Sequence, residues 1–218
     1  MNRFPRRTLL RMTALTAALG GAGFGFAAPA LAAPALAVPT VGQPAPAFTA
    51  VDSKGQQHKL ADLKGKVVVL EWTNNECPYV KKHYGASNMQ NLQKQAKGAG
   101  VVWLSVVSSA PGEQGHVIGA RADELTASRN AQPSAVLLDP QGEIGRAYDA
   151  RTTPHMYVID ARGILRYAGG IDSIASTKPA DIEKADPYFK TALESVLKGE
   201  NVAQATTRPY GCAVKYKS

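Results

Sequence analysis

Two short stretches of the chain carry residues able to do chemistry. EWTNNECPYVKKHY (71–84) and GCAVKY (211–216) hold its two cysteines, Cys77 and Cys212. A cysteine thiolate is a nucleophile toward disulfides and peroxides, and the covalent intermediate it forms is released by a second sulfur. For Cys77 the one candidate is Cys212. The same pairing also allows a structural reading, a disulfide that closes a loop of about 135 residues and stabilises the fold by on the order of 4 kcal/mol. The pattern of residues alone leaves both readings open.

A disulfide of either kind requires an oxidising compartment. Arg3, Arg6, Arg7 and Arg11 precede a Gly/Ala/Leu-rich apolar stretch, Met12 to Ala30, and small-x-small sites follow at Ala30-Leu31-Ala32 and Ala35-Leu36-Ala37. That is the layout of an export signal with a cleavage site. Residues 1–37 are therefore expected to be an export signal and the domain to work in the periplasm. Arg6-Arg7 followed by Thr8-Leu9-Leu10 resembles a twin-arginine signal. An ordinary secretory signal and an uncleaved anchor are the alternatives, since about 20 apolar residues can span a bilayer. Membrane contact is expected only through this segment, if it stays uncleaved.

Without the signal the formal charge falls from +8 to +4. The excess is spread out, with no basic tract and no interleaved aromatics, so nucleic acid is not an expected partner. About 180 residues remain, enough for one core. They divide into a domain over 38–200 and a tail over 201–218 that carries Cys212.

The elements that must position the thiols follow from apolar patterning. Val38 to Thr49 reads as an extended lead-in, and Ser53-Lys54-Gly55 supplies a hairpin turn. KVVVLEW (66–72), VVWLSVV (101–107) and SAVLLD (134–139) are strands, the first two buried on both faces. Val80, Tyr84, Met89, Leu92 and Ala96 predict one helical segment between Cys77 and Gly98. ADELTASRNA and EIGRAYDA are short helices, and HMYVID with ILRYAGGI is a hairpin turning at Asp160–Gly163. Asp172 to Asp186 reads as a polar surface insert. Asp186-Pro187 reads as an N-cap and first position of a helix whose apolar face is Phe189, Ala192, Leu193, Val196 and Leu197. The tail shows weak structure signals. Parallel crossovers followed by a hairpin predict an α/β fold with a mixed central sheet flanked by helices.

VGQPAPAFTAVDSKGQQHKLADLKGKVVVLEW, Cys-Pro-Tyr-Val-Lys and RTTPHMYVID occur in that order, and together they resemble the redoxin branch of the thioredoxin superfamily, the alkyl hydroperoxide reductase and thiol-specific antioxidant proteins. GCAVKY is similar to the ending of some peroxiredoxin-like redoxins. The resemblance runs from about Val41 to Gly199 and implies a thioredoxin-like fold with a cis Thr153-Pro154 bond.

It also implies roles. Cys77 would sit at a helix N-terminus, where backbone N–H groups favour the thiolate, and Pro78 would occupy the first turn. Lys81 and Lys82 could add positive potential or simply solvate the helix. Glu71 stands six residues before the cysteine, where thioredoxins carry a buried acid that accepts a proton. A solvent-facing glutamate at the strand edge is the other reading. Pro154 would shape access and keep stray metal from the thiolate. The implied catalytic set is thus Cys77, Cys212, Glu71 and Pro154, with Thr73, Asn74, Pro78 and Thr153 binding substrate.

Expected partners are a thiol or disulfide protein substrate, or a peroxide, and an external dithiol reductant. No cofactor and no metal is implied: copper-delivery relatives use Cys-x-x-x-Cys, and one cysteine at the loop cannot supply two soft ligands. The chain departs from its models in two places. Val80 replaces the second thioredoxin cysteine. Leu70, Asn74 and Pro154 stand where peroxiredoxins carry Pro, Thr and Arg, while Thr73 and Arg151 are nearby but out of register. His155 follows Pro154 and is a candidate neighbour of the thiol. His83 reads as surface or tucked beneath the loop.

Overall fold

The first long apolar run becomes the middle of a sheet because it has no polar face to offer water. The computed structural model describes residues 38–217, so the expected export signal lies outside the described residues. Strands β1 (Thr49–Asp52) and β2 (Gln57–Lys59) form the first hairpin, followed by β3 (Val68–Trp72). Helices α1 (Pro78–Gly85) and α2 (Asn88–Gly98), strand β4 (Val102–Val107), α3 (Gly119–Ser128), β5 (Ala135–Leu138) and α4 (Glu143–Ala147) complete two parallel crossovers. The short β6 (Thr152–Thr153), the hairpin β7 (His155–Ile159) and β8 (Leu165–Gly169), helix α5 (Tyr188–Leu197) and a final β9 (Cys212–Ala213) follow.

Seven strands form one mixed sheet in the order β2-β1-β5-β4-β3-β7-β8, and β6 pairs with β9 in a separate two-stranded ribbon. The β3–β4 and β4–β5 pairs are parallel, and the β3–β7 and β7–β8 pairs antiparallel. The expected α/β architecture is what forms. Alternation along β3 divides its side chains between two cores. Val69 joins Cys77, Val80, Met89, Trp103 and Phe189 on the face covered by α1, α2 and α5. Val68, Leu70 and Trp72 join Leu104, Tyr148 and Tyr157 on the other.

Four expectations change. The helical segment after Cys77 is two helices, because Ser87 adopts a left-handed φ of 58° between them. The N-cap of α5 is Pro187 rather than Asp186, whose carbonyl accepts the Tyr188 amide at 2.9 Å. Leu197, expected on the apolar face of α5, is 41% exposed, whereas the 172–186 segment is the surface insert expected, with only Asp172 and Ala185 buried. The tail is docked. Its Val214 and Lys215 backbones bond Arg151 and Ala110, and Tyr216 Oη donates to the Ala150 carbonyl at 2.7 Å.

Candidate thiol site

The site is built where β3 runs out. The Thr73 amide still bonds the Val106 carbonyl at 3.0 Å, and then Asn74 turns the chain. Asn74 Oδ1 accepts the Glu76 amide at 2.9 Å, and its carbonyl accepts the Cys77 amide at 3.1 Å. An Asn side chain that bonds the backbone two residues on makes a turn by itself. The turn delivers Cys77 as the N-cap of α1 (φ −67°, ψ 123°), with Pro78 in the first turn and exposed.

The Cys77 side chain is fully buried, and its thiol donates to the Thr153 carbonyl at 3.1 Å. Thr153 pairs with Cys212 across the β6–β9 ribbon, and the Thr153-Pro154 peptide is cis. Gly211 makes the close approach possible: at its φ of 135°, a Cβ there would collide with the Thr153 carbonyl oxygen. Cys77, Thr153, Pro154 and Cys212 are thereby gathered in one place. Both cysteines are free thiols.

The two thiols are electrostatically unlike. Burial pushes Cys77 up, but the Cys212 side chain, the Thr153 side chain and the Val80 and Cys212 backbones favour the anion, and the net direction is down. A sulfur at an N-cap receives the first free amides of the helix, which explains the Val80 contribution. Burial and the adjacent Cys77 sulfur push Cys212 up to about 11. Of the pair, Cys77 is the thiol that gives up its proton first.

The other expected site residues lie around this pair in different ways. Glu71 is completely buried. Trp103 Nε1, Tyr84 Oη, Ser105 Oγ and Gln93 Nε2 donate to its carboxylate at 2.8, 2.8, 3.0 and 3.4 Å. Burial raises its pKa, against the opposing pull of those donors and of Arg129. Glu71 shares the Cys77 face of the sheet, but none of its hydrogen bonds reaches a sulfur. Thr73 is buried with its hydroxyl unpartnered, beside a cavity of about 20 Å³ lined also by Tyr84, Ser105 and Arg129. Asn74 Nδ2 donates to the Gln114 carbonyl at 3.3 Å, so its side chain is committed to the loop at both ends.

None of the three cationic candidates bonds the thiol. Arg151 is exposed and paired with Asp149, and Lys81 is exposed. Lys82 is buried and turned toward Asp172 and Tyr210. His155 packs on Tyr157 at 4.5 Å and is held neutral by burial, with a pKa near 3. His83 is also buried, its pKa lowered to about 3 by burial and by Lys82. Among the described residues no group of His, Cys, Asp and Glu is arranged to hold a metal ion, and no helix is long and apolar enough to cross a membrane.

Sequence reasoning missed Lys82, His83, Asp172 and Tyr210 as one cluster. It also missed the cleft of about 740 Å³ beside the ribbon, lined by Thr152, Asp172, Tyr188, Arg208, Tyr210 and Gly211. The one signal available was the oddity of a tyrosine two residues before a cysteine in an otherwise plain tail.

Comparison with known proteins bears on the family and the fold. A family model described as the AhpC/TSA family matches residues 41–168. The thiol-disulfide oxidoreductase ResA of Geobacillus kaustophilus is 26% identical over 132 residues, 57% of this chain and 66% of that protein, just under two thirds of its length. A hypothetical protein of Sinorhizobium meliloti superposes with a TM-score of 0.68 at 22% identity, over 82% of this chain and 96% of that one. A putative thiol:disulfide interchange protein DsbE from Chlorobium tepidum gives 0.52 at 24% identity, over 74% and 97%. The fold is thioredoxin-like.

Proposed function

The chain belongs to the AhpC/TSA family of the thioredoxin-like superfamily, and from that premise we propose that it is a thiol–disulfide oxidoreductase with Cys77 as nucleophile and Cys212 as resolving thiol. One observation carries the reading: two free thiols meet across Thr153, one biased toward the anion and the other held protonated.

The chemistry runs in two displacements. The Cys77 thiolate attacks one sulfur of a substrate disulfide, the substrate S–S bond breaks, and the departing thiolate takes a proton. With Cys77 now in a mixed disulfide, the anion that helps raise the Cys212 pKa is gone, so Cys212 loses its proton more readily. Its thiolate attacks Cys77, releasing the second substrate thiol and leaving a Cys77–Cys212 disulfide. Two electrons pass to the substrate, and an external dithiol returns them. Glu71 is the buried acid proposed to take up a proton during exchange. Pro154 and Thr153 would shape the approach to the sulfur, and the neighbouring cleft, with Pro78 at its helix start, would receive the polypeptide around the substrate disulfide.

Peroxide reduction is the weaker reading. A peroxidase needs donors aimed at the bound peroxide, whereas Arg151 is tied to Asp149 and the Thr73 hydroxyl has no contact with the thiol. We further propose that the domain works in the periplasm after export by the twin-arginine signal read in residues 1–37. The basic start and apolar run of that segment support the reading, and N-terminal sequencing of secreted protein tests it.

The decisive experiment equilibrates the protein with glutathione buffers. A Cys77–Cys212 couple that exchanges reversibly and reduces a model disulfide substrate supports catalysis. A couple poised well below about −300 mV that passes no electrons to the substrate would be a structural staple and would end this reading.

A further inference from the structure

We propose that Tyr210 is the positioning residue that holds Cys212 against Cys77, an inference that rests on the exchange reading above. The ribbon that carries Cys212 is only two residue pairs long, too short to fix a sulfur by its own backbone bonds. Tyr210 lies two residues before Cys212 and reaches across to α1, the helix that Cys77 caps.

The contact is a buried polar knot. Tyr210 Oη donates to Asp172 Oδ1 at 2.5 Å and receives Lys82 Nζ at 3.1 Å. His83 Nε2 lies 3.2 Å away, and Asn88 donates to its Nδ1 at 2.8 Å. With Nδ1 accepting, the assigned tautomer places the ring proton on Nε2, which then donates to Tyr210. The phenol ring stacks edge-on against Tyr79 at 5.6 Å and lies under Lys82 Nζ at 5.2 Å. Every hydrogen-bonding position of the phenol oxygen is therefore used. Three of its partners, Lys82, His83 and Tyr79, sit within two turns of Cys77 on one helix.

A knot of this kind is poor value as a source of stability. The Lys82 and His83 side chains are fully buried and that of Asp172 is 6% exposed. Such a pair is costly to desolvate, and apolar residues of similar size stabilise as well or better. Asp172 Oδ2 lacks even a hydrogen-bond partner. What buried polar groups supply is direction, because each bond fixes an angle as well as a distance. Here the direction fixed is that of the tail segment carrying Cys212.

The consequence is a high effective concentration of Cys212 at Cys77, together with a closed cover over Cys77. Removing the hydroxyl frees the segment while the ring can still pack on Tyr79. In Tyr210→Phe, Asp172 Oδ1 keeps the Ile174 amide and Lys82 keeps the Ile174 carbonyl, so the knot is not left empty.

The test compares Tyr210→Phe with Tyr216→Phe, which removes a tail anchor on the far side of Cys212. Two quantities are read: the equilibrium constant of the Cys77–Cys212 disulfide against glutathione, and the iodoacetamide rate at Cys77 in the reduced protein. Tyr210→Phe is expected to lower the first and raise the second, each roughly tenfold, as for a lost intramolecular concentration advantage. Tyr216→Phe is expected to change both less. A folded Tyr210→Phe protein that leaves both values at wild type overturns the proposal. Should that variant not fold, Asp172→Asn loosens the same bond from the other side and is read in the same way. The alkylation rate needs no catalysis. If wild-type protein passes no electrons to substrate yet Tyr210→Phe still exposes Cys77, the exchange reading fails and the positioning role stands.

Discussion

Thr153 lies directly opposite Cys212 in the two-residue ribbon, and its carbonyl is the acceptor for the thiol of Cys77. One residue thus bonds the Cys77 sulfur through its backbone oxygen and stands opposite Cys212 in the strand register. The thiols meet beside it, and the bias between them comes from the Cys212 and Thr153 side chains and the Val80 and Cys212 backbones, which outweigh burial at Cys77; the first expectation below rests on that bias.

The alkylation rate of Cys77 against pH should show a midpoint below the ordinary thiol value of 9.0, since its pKa is lowered. Replacing Cys212 by Ser should move that midpoint, because the Cys212 side chain is the largest of the groups that favour the anion. A midpoint that stays put would mean that the helix amides and Thr153 suffice. Iodoacetamide kinetics followed by mass spectrometry measure it.

Glu71 predicts a pH-dependent stability. Its folded-state pKa is raised from 4.5, so the folded chain holds the proton that the unfolded chain releases. The stabilisation is complete below about pH 4.5 and is lost as pH rises through the folded pKa, with a slope of at most about 1.4 kcal/mol per pH unit. Glu71→Gln removes that slope. Denaturant melts of both proteins from pH 4 upward should therefore show wild type losing ground to the variant, and parallel curves would refute the assignment. If Glu71 accepts a proton in exchange, the variant also slows turnover.

Gly211→Ala should open the ribbon. Its φ of 135° and the Thr153 carbonyl leave no room for a Cβ, and Ala at a positive φ costs more than about 1 kcal/mol. The expected result is a lower melting temperature, a weaker Cys77–Cys212 disulfide and faster alkylation of Cys77. Normal values for all three would show that the tail docks without that close approach.

Hydrogen peroxide should oxidise Cys77 in Cys212→Ser protein no faster than it oxidises a free thiol. Neither the Thr73 hydroxyl nor the Arg151 guanidinium makes a bond at the sulfur. A rate orders of magnitude higher, read by trapping the sulfenic acid, would restore the peroxidase reading.

The architecture was legible because its core strands are short apolar runs, and residues 68–72, 102–107 and 135–138 all become neighbours in one sheet. The break between α1 and α2 had a faint signal. Tyr84 to Met89 is a five-residue step in a pattern that otherwise runs in threes and fours, and it spans the left-handed Ser87. The count of two cysteines already offered Cys212 as the partner of Cys77, but Thr153 could be brought to them only through the family resemblance, since nothing local in the tail encodes a two-residue strand. The knot around Tyr210 was out of reach for a different reason. Lysine and aspartate belong in water by default, and the pairing of Lys82 with Asp172 depends on residues 90 positions apart meeting beneath the tail.

The indole of Trp103 donates its N–H to Glu71 inside the buried core. Indole emission responds to a charge fixed beside the ring, so ultraviolet fluorescence reads the ionisation of Glu71 with no label attached. Followed through a stopped-flow exchange reaction in a Trp72→Phe protein, beside acid-quenched thiol counts, the same optical signal shows whether the carboxyl group changes state with the sulfurs or stays fixed.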